Sequence, residues 1–363
     1  MVAISTSVTT SSTPTPKDVR SLGINPNHWY AVARSTEVVD QPRAVVLWGD
    51  AIVLFRDAAG EIQALEDRCP HRQVKLSQGE VTEGQMECIY HGWRFDAAGH
   101  CTHVPYLAEN QKLPSCKIKT YPVQERDGFV WLFPGDRDRL ATDNIQPLAL
   151  PEWDHLNYIA TVSVIDVAAH YSFLIENLMD MYHGRLHDDY QAWAEPVLAE
   201  LTATSERVDV LYNAQSYYRI DKIWSVSQLF FPSLRRLHPE ELRVSYAYPN
   251  WVSTLGQDFK ICCLFCPISP TQTRAYLIHF TSLQAFHRLH KLPVAFRRWI
   301  KNSLFGAAQK MLDGLVEQDV LMLEQEQAAY RQNPDYKGPE LNRALISVQE
   351  LIRQQAADST TAT

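Results

Sequence analysis

The sequence predicts an α+β chain in two parts: an all-β N-terminal domain, then a domain of antiparallel strands and long helices. Three observations lead there. From Trp29 to Phe133 short apolar stretches (AVVLWGD, IVLFRD, IQALED) alternate with Gly-Asp and Ala-Gly turn signals, and no helical period is seen. From Tyr158 strand-like stretches recur at 158–167, 207–220, 242–249, 258–268 and 273–282. Helical segments lie near 170–187, 294–332 and 341–356, so strands are followed by a long late helix.

The limits follow from composition shifts. Residues 1–24 open on a Ser/Thr-rich, proline-containing stretch and read as a disordered tail. Residues 25–140 form the β-rich domain, the charged run GDRDRLATDNIQPLALPEWD marks the junction, and residues 141–363 form the second domain. A length of 363 residues accommodates two such cores. A net charge of −8 argues against nucleic acid as a partner, and no apolar run reaches membrane-spanning length. The seven cysteines are odd in number and no export signal is seen, so reduced thiols in the cytoplasm are expected.

The first chemical constellation is Cys69-Pro70-His71-Arg72 followed by Cys88-Ile89-Tyr90-His91-Gly92-Trp93. Two Cys and two His suit a zinc ion, or a [2Fe–2S] centre with two thiolates on one iron and two imidazoles on the other. Zinc ribbons use Cys-x-x-Cys knuckles, which this spacing does not match. The string Cys-Pro-His-Arg, then Cys-x-Tyr-His-Gly-Trp-x-Phe, resembles the Rieske domain of ring-hydroxylating oxygenases. The resemblance makes Cys69, His71, Cys88 and His91 the cluster ligands. Rieske proteins of cytochrome bc complexes carry an extra, disulfide-bonded cysteine in each loop. Val74 and Tyr90 occupy those places here, and Trp93 replaces a serine of that class. Fewer hydrogen bonds to the cluster imply a potential near the low end of the Rieske range, roughly −150 to +300 mV.

The second constellation is Glu176-Asn177-Leu178-Met179-Asp180-Met181-Tyr182-His183-Gly184-Arg185-Leu186-His187. On one continuous helix, positions 176, 180, 183 and 187 would share a stripe roughly 60° wide. The segment resembles the Asp-x-x-His-x(4)-His motif of the same family, which supplies two ligands of a mononuclear iron. Three residues, not four, separate His183 from His187, a departure from that motif. Asp319 falls on the apolar stripe of the late helix (Leu312, Val316, Leu323), where a carboxylate is costly unless paired or metal-bound. The stretch Gln318–Gln325 looks like the family's third-ligand segment, so His183, His187 and Asp319 complete a two-His, one-carboxylate triad. An ion pair of Asp319 with Arg297 is the structural alternative, and Glu326 is the reserve ligand. By the same resemblance Asp180 bridges electron flow to a Rieske histidine of a neighbouring subunit, in a head-to-tail homotrimer.

Other signals are weaker. Cys262, Cys263 and Cys266 lie in FKICCLFCPI, a buried strand whose adjacent cysteines face opposite sides. His100 and His103 read as hairpin residues, and His287, Arg288 and His290 as a solvated basic patch.

The resemblance spans nearly the whole chain. It implies a Rieske domain beside a helix-grip domain with an antiparallel sheet, acting as a terminal oxygenase. Its implied cofactors are a [2Fe–2S] cluster and mononuclear Fe(II), with NAD(P)H serving indirectly through a flavin reductase or ferredoxin. The implied substrates are O₂ and a small aromatic or cyclic organic molecule, hydroxylated, dioxygenated or demethylated. A Rieske electron-transfer protein without oxygenase chemistry is the alternative, and it leaves more than half of the chain unexplained.

Overall fold

The computed structural model describes residues 18–190, 193–216, 237–255, 259–283, 291–336 and 338–358. The basic patch at His287–His290 and the last residues of the expected strand 207–220 lie outside these.

Ten short strands build the N-terminal part. They are β1 (Tyr30–Arg34), β2 (Arg43–Leu47), β3 (Asp50–Arg56), β4 (Ile62–Glu66), β5 (Glu80–Thr82), β6 (Gln85–Glu87), β7 (Arg94–Phe95), β8 (Cys101–His103), β9 (Val123–Arg126) and β10 (Phe129–Leu132). They pair as three antiparallel sheets ordered β1-β10-β9, β2-β3-β4 and β5-β6-β7-β8. The Cys69 loop follows β4, and the Cys88 loop joins β6 to β7. Helix α1 (Arg137–Asp143) spans the expected junction at residue 140.

The second part is one seven-stranded antiparallel sheet with helices on its inner face. Its strands are β11 (Tyr158–Val167), β12 (Trp193–Ala203), β13 (Arg207–Ser216), β14 (His238–Ala247), β15 (Asn250–Leu255), β16 (Phe259–Ser269) and β17 (Gln272–Ser282). Their order is β11-β17-β16-β15-β14-β13-β12. Helix α2 (Tyr171–Met179) and a 3₁₀ segment (Met181–Tyr190) follow β11, and helices α3 (Val294–Gln332) and α4 (Arg343–Asp358) close the chain. Among the described residues no helix is long and apolar enough to cross a membrane.

Strand alternation gives the sheet two different faces. On the outer face Cys262, Leu264, Tyr276, Ile278 and Phe280 pack against Ala31, Phe129 and Trp131 of β1 and β10, which joins the two parts through an apolar core. On the inner face Cys263, Phe265, Ala275 and Leu277 belong to the core under the helices. The expectation that Cys262 and Cys263 face opposite sides therefore holds, and burial pushes both thiols up.

Two local expectations need correction. Residues 18–24 are packed, not disordered: Val19 is buried, and Arg20 reaches the α2 residues Ser172 and Glu176 and lies over the Phe173 ring. An apolar side chain and a paired guanidinium supply the anchorage that the composition of the preceding stretch lacks. The expected helix 170–187 is also not continuous. It ends at Met179, where Asp180 adopts an extended backbone and its N–H returns to the carbonyls of Glu176 and Asn177.

His170 caps the start of α2. Its Nδ1 accepts from the Ser172 amide, and its Nε2 donates to the Leu22 carbonyl at 3.1 Å. Burial pushes its pKa down to about 4, against about 6.5 in an unfolded chain. Between those values the unfolded state binds more protons, so stability falls as pH drops from about 6.5 towards 4. Urea unfolding midpoints at several pH values should show this decline, and His170→Asn, which keeps a capping group, should flatten it. A truncation at the interdomain core, Ile278→Ala, should cost about 2–5 kcal/mol, read by the same denaturation.

Candidate metal centres

The two cysteine loops share one backbone design. In the first, the Cys69 amide donates to the Val74 carbonyl and the Gln73 amide returns to the Cys69 carbonyl, both at 2.8 Å. In the second, the Cys88 amide donates to Trp93 and the Gly92 amide to Cys88, both at 2.9 Å. Each loop needs a left-handed residue at the same place, Gln73 (φ 62°) and Gly92 (φ 67°). A side chain at Gly92 would collide with Pro105, so the glycine also allows close packing there.

These loops bring the four expected cluster residues together. Cys69 and Cys88 are buried, each 1% exposed, and the His71 and His91 rings lie 4.5 Å apart. Trp93 stacks flat on His71 at 4.5 Å, and Tyr90 sits 3.9 Å from the His91 ring. Burial pushes the Cys69 thiol up to about 11, so a metal is needed to make it a thiolate near neutral pH. His71 Nδ1 and His91 Nδ1 are buried without a hydrogen-bond partner. A sulfur pair beside a pair of orphaned imidazole nitrogens fits a two-iron, two-sulfur cluster. Val74 packs on this core and all seven cysteines are free, so no loop disulfide forms.

The second centre forms where α2 ends. The Asp180 carboxylate accepts from the Tyr182 amide and from Asn342 Nδ2, both at 2.9 Å, and so starts the 3₁₀ segment. Within that segment His187 leaves helical geometry (φ −103°, ψ 19°). The kink compensates for the missing residue between the two histidines. His187 Nε2 lies 3.2 Å and His183 Nε2 3.7 Å from Asp319 Oδ1. Ligand atoms of His183, His187 and Asp319 all fall within 4.8 Å of one another, the only such grouping among the described residues. His187 Nε2 is nonetheless out of hydrogen-bond alignment and has no partner. Three donors converging on one point, with an orphaned nitrogen, fit a facial triad.

The surrounding side chains hold this geometry. His187 Nδ1 lies 3.0 Å from Gln318 Oε1, which as an acceptor places the ring proton on Nδ1 and leaves Nε2 free. Asn177 Nδ2 donates to Asp319 Oδ1 at 3.2 Å. Burial lowers the His183 pKa; for His187 burial also lowers it, but Asp319 and Gln318 outweigh this and the net shift is upward. Trp193 packs against both histidine rings and donates to the Met181 carbonyl at 2.7 Å. Its indole lies so close to Gly184 that a side chain there would clash.

The alternatives separate cleanly. Arg297 binds the Leu292 carbonyl and Asn157, not Asp319. Glu326 is not part of the His183–His187–Asp319 grouping; it lines a cleft of about 1300 Å³ together with Arg20, Glu176, Asp180, His183 and Tyr336. Burial raises its pKa, helped by Glu176. Sequence reasoning did not single out Trp193 or Asn342 and gave Gln318 no role. Trp193 and Asn342 carry no spacing signal, because a strand and a loop bring them to the site, whereas Gln318 directly precedes Asp319 on α3.

Residues 28–122 match the Rieske [2Fe-2S] domain family. The chain is 33% identical over 356 residues to the 4beta-methylsterol monooxygenase of Methylococcus capsulatus, covering 93% of this chain and 90% of that protein. The chain belongs to the Rieske oxygenases. It is therefore an oxidoreductase with a Rieske [2Fe–2S] domain and, by family, a mononuclear iron site, for which the His183–His187–Asp319 group is the available donor set. The dicamba O-demethylase oxygenase component of Stenotrophomonas maltophilia is 33% identical over 162 residues, 44% of this Rieske oxygenase and 46% of that protein. In fold, the chain is similar to dicamba monooxygenase bound to 3,6 dichlorosalicylic acid, with TM-score 0.75, 20% identity and coverage of 94% of this chain and 100% of the other. An electron carrier without oxygenase chemistry is not favoured by these likenesses.

Proposed function

We propose that this Rieske oxygenase is the terminal, O₂-activating component of a monooxygenase system that hydroxylates a cyclic organic substrate. The observation that carries the proposal is the convergence of His183, His187 and Asp319 at the end of α2, in a chain similar over 93% of its length to a sterol monooxygenase. That likeness favours an alicyclic substrate over the aromatic acids of relatives matched over less than half of this chain, such as vanillate O-demethylase.

In this reading Cys69 and Cys88 bind one cluster iron, His71 and His91 the other, within a Rieske domain at 25–140. His183, His187 and Asp319 hold the mononuclear iron in the catalytic domain at 141–363. When bound, the two groups would supply single electrons and O₂ activation. The chain's own part is positional. Gln318 sets the His187 tautomer, Asn177 orients Asp319, and Asn342 pins Asp180 beneath the cleft.

Electrons come from a separate electron-transfer protein, a ferredoxin or flavin reductase drawing on NAD(P)H. Asp180 is read as the bridge to the cluster of a neighbouring subunit in a homotrimer. Supporting this, the cluster tip exposes apolar residues, Ile89 at 70%, Tyr90 at 58% and Tyr106 at 61%, and the cleft above Asp180 is large enough to receive them. Seven free thiols support a reducing, cytoplasmic setting.

Two experiments test this. Asp319→Ala should keep the red-brown Rieske spectrum, lose about one of three irons per chain, and abolish substrate-dependent NAD(P)H consumption with reductase; full turnover would sink the ligand assignment. Tyr90→Glu should leave the spectrum intact, lower the mass seen by light scattering from trimer towards monomer, and uncouple electron delivery. An unchanged mass and rate would remove the head-to-tail reading.

A further inference from the structure

The seven cysteines divide by their access to solvent. Cys69 and Cys88 lie buried in the two loops of the Rieske centre, and Cys262, Cys263 and Cys266 are buried in β16. Cys101 is buried on β8, and Cys116 alone is half-buried. The last two belong together. The Ile118 amide donates to the Gly99 carbonyl at 2.9 Å, and His100 bridges Lys117 in antiparallel pairing. One more step of that register sets Cys101 opposite Cys116. Both pack on the apolar core that also holds Cys69 and Cys88. Burial pushes the Cys101 thiol up to about 11, and the Cys116 thiol beside it adds to the shift.

Between the two thiols runs a flap, residues 102–115, that reaches the second cluster loop. Beyond His103 it has no strand and turns on itself, with the Leu107 amide donating to Val104 at 3.1 Å and the Gln111 amide to Ala108 at 2.9 Å. Val104 is buried, whereas most of 105–115 is exposed. The flap grips the Rieske centre through Pro105 and Tyr106. Pro105 fills the space that a side chain at Gly92 would need, and Tyr106 Oη accepts from Trp93 Nε1 at 2.8 Å. Trp93 in turn stacks on His71. A chain of contacts therefore leads from the thiol pair to an imidazole of the cluster site.

We propose that Cys101 and Cys116 are a peroxide-oxidisable pair whose disulfide closes the base of this flap. Cys116 is the thiol that a solute reaches first. Its sulfur attacks hydrogen peroxide, the O–O bond breaks, and Cys116 becomes a sulfenic acid with release of one water. The Cys101 sulfur then forms the S–S bond and displaces the hydroxyl as a second water. The two thiols lose two electrons and two protons, and one peroxide takes them up. Residues directly opposite on antiparallel strands have Cβ atoms about 4.5–5.5 Å apart, against about 3.5–4.5 Å in a disulfide. Closure thus needs a shift of about 1 Å, which the exposed side of the flap can supply. The oxidant is close at hand, since peroxide is the two-electron reduction product of the O₂ that this family of enzymes consumes. A bridge at the base restrains the flap and holds Pro105 and Tyr106 against Gly92 and Trp93.

The test treats the full-length, cluster-loaded protein with hydrogen peroxide, blocks the remaining thiols and maps its peptides by mass spectrometry without reductant. A Cys101–Cys116 linked peptide should appear, and dithiothreitol should remove it. Cluster release to an iron chelator, followed by the Rieske absorbance, should be about tenfold slower in the bridged protein, within the range for closing a loop of this length. Cys116→Ser, a conservative change at a half-buried position, should form no bridge and gain no protection. Cys101→Ala should stop at a sulfenic acid on Cys116, which dimedone traps. Three results would overturn the pairing: no linked peptide at peroxide levels that leave the Rieske spectrum unchanged, a link from either thiol to another cysteine, or equal protection in Cys116→Ser. A linked peptide with an unchanged rate of cluster release would overturn the closure of the flap.

Discussion

Asp319 is a carboxylate on the buried side of a 39-residue helix, and the catalytic half is arranged around tolerating it there. Its Oδ1 lies near two imidazole nitrogens and accepts from the Asn177 amide. A buried carboxylate calls for a counter-charge; Asp319 draws one in part from His187, whose pKa it raises, and a bound iron would supply a fuller one. The neighbouring oddities follow from the same need. The helix must stop at Asp180, the chain must kink at His187, and Gln318 must hold the ring so that its unprotonated nitrogen turns inward.

The shortened histidine spacing shows why reading one periodicity along a segment misleads. A continuous helix would place Glu176, Asp180, His183 and His187 on one stripe, and two of them do not belong together. Glu176 turns to Arg20 near the N-terminus, whereas Asp180 is held by Asn342 from just before the last helix. An extended residue at Asp180 and a kinked one at His187 break the stripe into pieces that each serve a different partner. Nothing in the local residues states those partners, because both come from more than 150 positions away.

Legibility elsewhere followed the physics of exposure. The late helix was readable at its true bounds, 294–332, because its pattern is long. The cluster loops were readable because ligand chemistry restricts residue type, although their shared hydrogen-bond design shows only in three dimensions. Strand β12 was missed: it is an edge strand, largely exposed, with Pro196 inside a bulge and many Ala and Glu residues that read as helix formers. Strand β15 was missed because six residues are too few for alternation to register against its turn. The tail was misread at its end for a related reason. Composition described residues 1–17, while Val19 and Arg20 act through contacts that composition cannot express.

The seven-stranded sheet joins the two halves. Its outer face bonds the Rieske half through Ile278, Tyr276 and Phe280, and its inner face carries Leu277 and His279, so neighbouring residues of β17 serve opposite purposes. A strand dedicated to both tasks has little freedom to shift: a slip of one residue would place His279 in the interdomain core and Ile278 under the helices, so the register of β17 is fixed by both faces at once.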